Sequence, residues 1–308
     1  MPSLPLDMDR FQSVRLGLGI AWCWLLGWWM VPAAAIDPVA ADPPLDHRHP
    51  PSLVEITFKS QGALLNGLIY QAQGERLRPA VVFLHGYPGN ERNLDVAQAV
   101  RRAGFHAVYF NYRGSWGSGG VFSWQNAVDD AHQVIRYLRS EEARTSHRID
   151  PSQIVLVGHS VGGWVALMAA AADPKIHCAA SLDGYNLGKV GALMQTDAQE
   201  KADLIRYLVQ TTDSDSGPIR ASAHDLAAQL MRNPAAFDLA QQARALQDKT
   251  VLLLSGFHDD VAKPAQHLQP LAEAFRAAGM DGLSVKVLEN GDHVASADRI
   301  ALTRTLLR

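Results

Sequence analysis

Cysteine is scarce in this chain, with 2 residues in 308, and this scarcity excludes a fold stabilised by a disulfide framework. Cys23 lies in the N-terminal apolar segment, and Cys178 lies in a strand-like stretch, Cys178–Leu182. If the N-terminal segment is removed, Cys178 remains alone and cannot form an intramolecular disulfide. We expect it to be a buried, unreactive side chain.

An excess of charge of either sign is also missing. The chain carries 28 Lys and Arg against 31 Asp and Glu, a net charge of -3, with both signs spread along its length. It therefore has no basic face for a phosphate backbone, and no nucleic acid is expected as a partner. Low-complexity tracts and internal repeats are absent, and 47% hydrophobic residues suffice for one large core.

A metal-ligand pattern is lacking as well. His47 and His49 lie together near the N-terminus, but no third ligand accompanies them. We therefore expect neither a metal nor an organic cofactor.

Long apolar runs are confined to the N-terminus. Arg10 and Arg15 precede an apolar run from Leu16 to Val31, and small residues follow it. This order is typical of a secretory signal peptide, so we expect residues 1–35 to be cleaved off after Ala35. An uncleaved membrane anchor is the alternative, although the run is shorter than the ~20 residues that span a bilayer comfortably. We expect a periplasmic or secreted protein, with a membrane as partner only if this segment is uncleaved.

The rest of the chain begins with a leader and continues as an α/β pattern. Residues 36–52 are rich in Pro, Asp and Ala and are predicted to be a flexible leader. In residues 53–308 a hairpin is followed by short apolar strands that alternate with helices, which indicates a mostly parallel central sheet flanked by helices. The predicted strands are Leu53–Lys59, Leu64–Tyr70, Ala80–Leu84, His106–Asn111, Ile154–Val157, Cys178–Leu182, Val251–Ser255 and Leu283–Leu288. The predicted helices are Leu94–Ala103, Trp124–Leu138, Gly162–Ala172, Ala265–Ala278 and Ala295–Leu307.

The most informative motif is a G-x-S-x-G sequence, Gly158–Gly162. It follows the apolar run Ile154–Val157 and precedes a helix-like stretch, which is the context of a nucleophile elbow. Small residues two before and two after the serine let the strained turn pack without clash. The pattern predicts that Ser160 is a nucleophile exposed at the tip of a sharp turn.

An oxyanion needs two main-chain donors beside such a serine. One is expected from Val161, the residue after the nucleophile, and the other from the loop His85–Asn90, which follows a predicted buried strand. Tyr87 is the candidate donor there, since Pro88 has no N–H to donate. An ordinary turn after a strand is the alternative interpretation of this loop.

Two further loops supply an acid and a base. The loop Gly256–Asp260 follows a late strand, and we assign Asp259 as the acid, with Asp260 as the competing choice. His293 follows the last predicted strand, where a general base can reach the serine, and His258 is the rival base.

Residues 183–249 form an insertion longer than a strand connection requires, with helix-like runs at Lys201–Gln210, Ala223–Arg232 and Ala236–Gln247. We interpret it as a helical cap above Ser160. Trp116 and Phe122 are predicted to line a substrate pocket, together with Tyr87 and Trp124, although these aromatic residues could instead fill the core. Arg113 could bind substrate, but we favour a structural ion pair with Asp129 or Asp130.

The chain order Ser160, Asp259, His293 resembles that of the α/β-hydrolases. The motifs that carry this resemblance are His85–Gly89, Phe110–Ser115, Gly158–Gly162, Gly256–Asp260 and Gly291–His293. They are most similar to the esterase and dienelactone-hydrolase-like group, which shares its catalytic domain with the prolyl oligopeptidase clan. The resemblance implies an α/β-hydrolase fold and a Ser-His-Asp triad.

The chain also departs from these relatives. Dienelactone hydrolases have a cysteine nucleophile where this chain has Ser160, and no propeller domain of the oligopeptidase kind fits its length. The turn after the acid ends in Val261-Ala262-Lys263-Pro264, whereas these relatives usually have Val-Pro at this place.

These features predict a serine hydrolase that cleaves a small-molecule carboxylic ester through an acyl-enzyme. A serine peptidase or aminopeptidase acting on short peptides is the alternative within enzymes. A non-catalytic binding module on the same fold is the alternative outside them, although a binder has no use for a complete triad.

Overall fold

The computed structural model describes residues 36–212 and 217–308, so the predicted signal peptide lies outside the described residues. Its central feature is an eight-stranded sheet in the order β1-β2-β4-β3-β5-β6-β7-β8. The strands are β1 (Ser52–Ser60), β2 (Ala63–Gln71), β3 (Arg78–Leu84), β4 (His106–Phe110), β5 (Ile149–His159), β6 (Cys178–Leu182), β7 (Thr250–Gly256) and β8 (Leu283–Leu288). The first pairing, β1 with β2, is an antiparallel hairpin, and β2 joins β4 antiparallel. Every other pairing is parallel.

Helices connect the strands and cover both faces of the sheet. They are α1 (Leu94–Arg102), α2 (Trp124–Leu138), α3 (Glu141–His147), α4 (Val161–Ala172), α5 (Leu187–Thr196), α6 (Ala198–Thr212), α7 (Ala223–Arg232), α8 (Ala243–Leu246), α9 (Leu268–Ala277) and α10 (Arg299–Leu306). Two 3-10 turns, Pro234–Phe237 and Leu239–Gln242, precede α8. This is the α/β-hydrolase fold that the motifs predict.

The core explains why the central strands read as apolar runs. In β4 all five residues are buried, because helices cover the sheet on both sides. One buried cluster contains α2 and α4, including Trp124 and Trp164. The other cluster contains buried residues of α1 and Leu302 of α10. In the central strands, alternating residues belong to the two clusters, as Val82 and Phe83 of β3 show.

Most predicted elements lie where the pattern places them, and the parallel sheet is confirmed. Helix α3 was not predicted, although Ser140 caps it by accepting a hydrogen bond from the Ala143 amide at 3.2 Å. Helix α5 was also missed in the insertion. The last helix begins at Arg299 and not at Ala295, whose φ of 52° places it in a left-handed turn.

The insertion after β6 is helical, with α5 to α8 in sequence. Two tryptophans join it to the sheet domain. The Trp124 indole donates to the Leu226 carbonyl at 2.9 Å, and the Trp164 indole donates to the Phe237 carbonyl at 2.7 Å. These bonds fix the insertion onto α2 and α4, and α4 begins directly after Ser160.

The predicted leader, residues 36–52, contains no helix or strand before Ser52, where β1 begins. It contacts the domain through side chains: Arg304 pairs with Asp37 at 2.7 Å, and Arg101 pairs with Asp42 at 2.8 Å. Among the described residues, no helix has both the length and the hydropathy needed to cross a bilayer.

Candidate active site

Ser160 lies at the turn between β5 and α4 with φ 55° and ψ -123°, a conformation that a residue with a side chain rarely adopts. Glycines make the turn possible. A Cβ on Gly158 would collide with the Gly162 carbonyl, and a Cβ on Gly162 would collide with the Leu84 carbonyl of β3. The G-x-S-x-G spacing is therefore a packing requirement of the strand-to-helix turn.

The main chain of Ser160 is held on both sides. Its amide donates to the Leu182 carbonyl of β6 at 2.9 Å, and its carbonyl accepts from the Tyr185 amide at 3.1 Å. These two hydrogen bonds satisfy the main-chain groups of Ser160 beyond the last residue of β5, and they help to offset the strain of the turn.

Three side chains converge at this edge of the sheet, where β5, β7 and β8 end. His293 Nε2 lies 3.0 Å from Ser160 Oγ, and His293 Nδ1 lies 2.9 Å from Asp259 Oδ2. The Asp259 side chain is fully buried, whereas that of His293 is 18% exposed. The structure thus brings the three predicted residues into a hydrogen-bonded chain that can move a proton from the serine hydroxyl to the imidazole.

Asp259, and not Asp260, faces the histidine. Asp259 Oδ1 accepts from the amides of Val261 and Ala262 at 2.9 and 2.8 Å, which orients the carboxylate. Burial raises the pKa of Asp259, but the hydrogen bond and charge of His293 and these two amides outweigh it and hold the pKa below its usual value. Asp260 and the rival base His258 are both exposed to solvent.

The predicted oxyanion loop passes directly beside the nucleophile. A Cβ added to Gly86 would lie 3.0 Å from Ser160 Cβ and 3.1 Å from the His159 carbonyl. Val161 is the first residue of α4, so its amide has no acceptor within the helix. Tyr87 is held by α6 of the insertion, since its hydroxyl bonds Thr211 Oγ1 at 2.6 Å and its carbonyl accepts from the Tyr207 hydroxyl at 3.3 Å. Helix α6 therefore positions the loop expected to bind the oxyanion.

The predicted wall residues have different environments. Phe122 is 3% exposed and packs in an aromatic cluster whose ring centroids lie 5.6 Å from Tyr87 and 5.4 Å from Trp124. Trp116 is half-buried, and its indole donates to the Pro88 carbonyl at 2.7 Å. Phe122 and Trp124 thus pack against the ring of Tyr87, and Trp116 is hydrogen-bonded to the predicted oxyanion loop. Their contact with substrate stays a prediction.

Arg113 is part of a buried ion pair. Its Nε lies 2.6 Å from Asp130 Oδ1, and its own amide donates to Asp130 Oδ2 at 2.7 Å. Asp129 adds a longer contact of 3.6 Å. This geometry supports the structural interpretation of Arg113.

Two polar residues near the triad were not assigned a role from the sequence. His159 contacts the main chain of the base loop, and Asp183 lies buried behind the acid. The signal for Asp183 was its position directly after β6, at the sheet edge where ligands and catalytic groups gather. Within residues 36–212 and 217–308, no three His, Cys, Asp or Glu side chains form a metal-binding group.

The fold and this site define a hydrolase of the α/β class. A family model described as "Alpha/beta hydrolase family" matches residues 81–302, which include Ser160, Asp259 and His293. The chain belongs to this family.

Named relatives share only part of the sequence. The quorum-quenching protein AidA of Acinetobacter baumannii is 28% identical over 133 residues, which are 41% of this chain and 42% of that protein. A lysophosphatidylserine lipase, ABHD12 of Danio rerio, is 27% identical over 100 residues, covering 32% of this chain and 24% of that protein. The aligned regions therefore span less than half the length of these curated relatives.

Solved structures agree over more of the chain. An acylaminoacyl peptidase from Pyrococcus horikoshii superposes with a TM-score of 0.60 at 17% identity, covering 83% of this chain and 40% of that one. Est1E from Butyrivibrio proteoclasticus, with ferulic acid bound, gives 0.59 at 15% identity, covering 82% and 96%. At these identities the likeness shows the shared fold alone.

Proposed function

We propose that the protein is a serine hydrolase that cleaves carboxylic esters through an acyl-enzyme. The observation that carries the proposal is the unbroken chain Ser160 Oγ, His293, Asp259, with contacts of 3.0 and 2.9 Å. A hydroxyl attacks a carbonyl only when a base takes its proton, and a carboxylate on the far ring nitrogen holds that base in the required tautomer.

Each step has a residue in place. Ser160 attacks the ester carbonyl, and His293 takes the hydroxyl proton and returns it to the leaving alcohol. The amides of Val161 and Tyr87 stabilise the oxyanion, and water then hydrolyses the acyl-enzyme by the same path in reverse. The strained turn of Ser160 is consistent with this role, because strain of this kind clusters at functional sites.

We propose a small-molecule ester as the substrate, acted on in the periplasm or outside the cell. Among proteins of this fold, Est1E is solved with ferulic acid bound, and another structural relative is an acylaminoacyl peptidase. An aminopeptidase needs an acidic group that binds the substrate ammonium. On α6, Asp203 is already paired with Arg206 at 2.7 Å, which counts against Asp203 as that group.

The test compares Ser160→Ala with Ser152→Ala, which replaces an exposed serine of β5, the strand that precedes Ser160. Turnover of a short-chain nitrophenyl ester should fall by about 10³-fold or more in Ser160→Ala and stay unchanged in Ser152→Ala. An aminoacyl nitroanilide assayed beside the ester separates the two hydrolase classes. Equal turnover by Ser160→Ala and the unaltered protein would remove the proposal.

A further inference from the structure

A second carboxyl group lies behind the triad acid. Asp183 directly follows β6, and its side chain is fully buried. Its amide donates to the Leu254 carbonyl of β7 at 2.7 Å, and its Oδ1 accepts from the Gly256 amide at 2.7 Å. The residue therefore connects the end of β6 to the end of β7, from which the acid loop departs.

The main chain of Asp183 is in an unusual conformation. Its φ is 49°, in the left-handed region that costs a residue with a side chain about 1 kcal/mol or more. A glycine would avoid this cost, but it could not supply the carboxylate that accepts from the Gly256 amide. The conformation directs the carboxyl group toward β7.

The two neighbouring carboxyl groups receive unequal numbers of hydrogen bonds. Asp259 accepts from the Val261 and Ala262 amides and faces His293 Nδ1. Asp183 Oδ1 accepts from the Gly256 amide, and no N–H or O–H group of the described residues donates to its Oδ2, although the carboxyl group lies within hydrogen-bonding reach of the Asp259 side chain. A buried oxygen without a donor is costly as part of a carboxylate but can carry a proton.

The charges around Asp183 also favour a protonated side chain. Burial, together with the negative charge of Asp259, raises the pKa of Asp183 to about 7, despite the opposing Gly256 amide and His293. Asp259 lies on the loop after β7 and His293 on the loop after β8, so charged groups from two neighbouring loops act on Asp183. Two close carboxyl groups share one proton most easily when the group that accepts fewer hydrogen bonds holds it.

We propose that Asp183 is a positioning residue of the triad, which holds a proton up to neutral pH and donates it in a hydrogen bond to the carboxylate of Asp259. The proton limits the buried pair to one negative charge, and the hydrogen bond adds a fourth donor to Asp259. Asp183 thereby acts on His293 only through the acid. This inference rests on the proposed function of the triad.

The test uses Asp183→Asn and Asp183→Ala. Asn keeps an acceptor for Gly256 and a donor for Asp259, so it mimics the protonated acid. We expect kcat/KM of Asp183→Asn to stay within about threefold of the unaltered enzyme below neutral pH, with the acid limb of its pH profile at the same position. Asp183→Ala should lose about tenfold or more in kcat, because the acid loop loses both contacts.

Two activity results would overturn the inference. If the acid limb of Asp183→Asn moves to lower pH, Asp183 is ionised in the active enzyme, because removing a negative charge disfavours protonation of His293. If Asp183→Ala keeps full activity, Asp183 does not position the triad.

A stability measurement tests the proton independently of catalysis and of whether Asp183→Ala folds. With a folded pKa of about 7 and an unfolded value of 3.8, folding takes up a proton at Asp183 between these values, and this stabilisation is lost as pH rises through them. The unfolding constant of the unaltered protein relative to Asp183→Asn should therefore rise on the order of 10²-fold from pH 5 to pH 8. A ratio that stays constant shows Asp183 ionised at both pH values and overturns the inference, even if no ester is cleaved.

Discussion

The imidazole of His159 donates from Nε2 to the main-chain carbonyl of His293 at 2.7 Å, with the ring centroids 4.9 Å apart. Burial lowers the pKa of His159 to about 4, so the ring is neutral at physiological pH. Because a carbonyl oxygen can only accept, Nε2 carries the ring proton. The elbow that presents the nucleophile therefore also holds the loop that presents the base.

This relationship predicts a graded effect at His159. A Gln in its place has an amide that can donate to the His293 carbonyl, so kcat should stay within about threefold. His159→Ala removes the donor, and kcat should fall about tenfold with KM little changed, because the base is misplaced and not the substrate. Steady-state kinetics on one ester measure both variants. Full kcat in His159→Ala would show that the base loop needs no such support.

Substitutions of the adjacent residues Asp259 and Asp260 should have very different effects on kcat. Asp259→Asn keeps the size of the side chain but disfavours the tautomer that His293 needs, so kcat should fall by about 10² to 10⁴-fold. Asp260→Asn changes an exposed carboxylate and serves as the matched control, with kcat expected within about twofold. Comparable losses in both variants would contradict the assignment of the acid.

Substitution of Gly86 should lower activity because this residue lies against Ser160. A Cβ there would lie 3.0 Å from Ser160 Cβ, so Gly86→Ala must push the oxyanion loop away by a few tenths of an ångström. We expect kcat/KM to fall about 10- to 100-fold, since oxyanion donors depend on close placement. Gly119→Ala is the control, because its Cβ would meet the Leu64 carbonyl at a similar 3.1 Å away from the site. A larger activity loss in Gly119→Ala than in Gly86→Ala would contradict the role of this loop.

The sequence predicted the sheet and the converging loops because both depend on local patterns. Strand β6 is an apolar run bounded by polar residues, and Gly158 and Gly162 mark the elbow on steric grounds alone. The choice of Asp259 over Asp260 was weaker, since neighbouring side chains of one turn differ only in direction. Coordinates supply that direction through the Val261 and Ala262 amides.

What the sequence could not predict depends on contacts between distant segments. Asp183 reads as an ordinary polar residue after a strand, and its burial appears only when β6 and β7 lie side by side. The link from His159 to His293 joins residues separated by 134 positions. Helix α5 lacks a clear amphipathic pattern because its small residue Gly191 packs against the Leu230 backbone of the cap.

The buried ion pair at Arg113 should affect stability more than catalysis. Arg113→Gln leaves Asp130 fully buried without its cation, and burial already raises the pKa of that carboxyl. Removing one partner of such a pair costs about 3 kcal/mol or more. Arg144→Gln breaks an exposed pair with Glu141 and should cost under about 0.5 kcal/mol. An unchanged melting temperature with weaker substrate binding in Arg113→Gln would assign Arg113 to the substrate instead.

The protein should lose stability on acidification. Burial lowers the pKa of His85, His106, His159 and His267 to about 4 from 6.5. Between these values the unfolded state binds more protons, so stability rises with pH through this window and is lost as pH falls. Asp183 has the opposite effect, but it is one group against four.

Urea unfolding at about pH 7 and pH 5 should show a decrease of about 1 kcal/mol or more for each of these histidines. His106 is the first residue of β4, so it lies at the end of the sheet opposite the triad, and His106→Gln should make the decrease smaller. Equal stability at the two pH values would show that these rings are not held neutral in the fold.

The most direct measurement of the central claim is covalent capture of the nucleophile by a fluorophosphonate, read by peptide mass spectrometry. The protein should gain one phosphonyl group on the peptide that contains Ser160, and the Asp259→Asn and Ser160→Ala variants should react slowly and not at all, respectively. Labelling at another residue, or no labelling of the folded protein, would contradict a triad in which His293 activates Ser160.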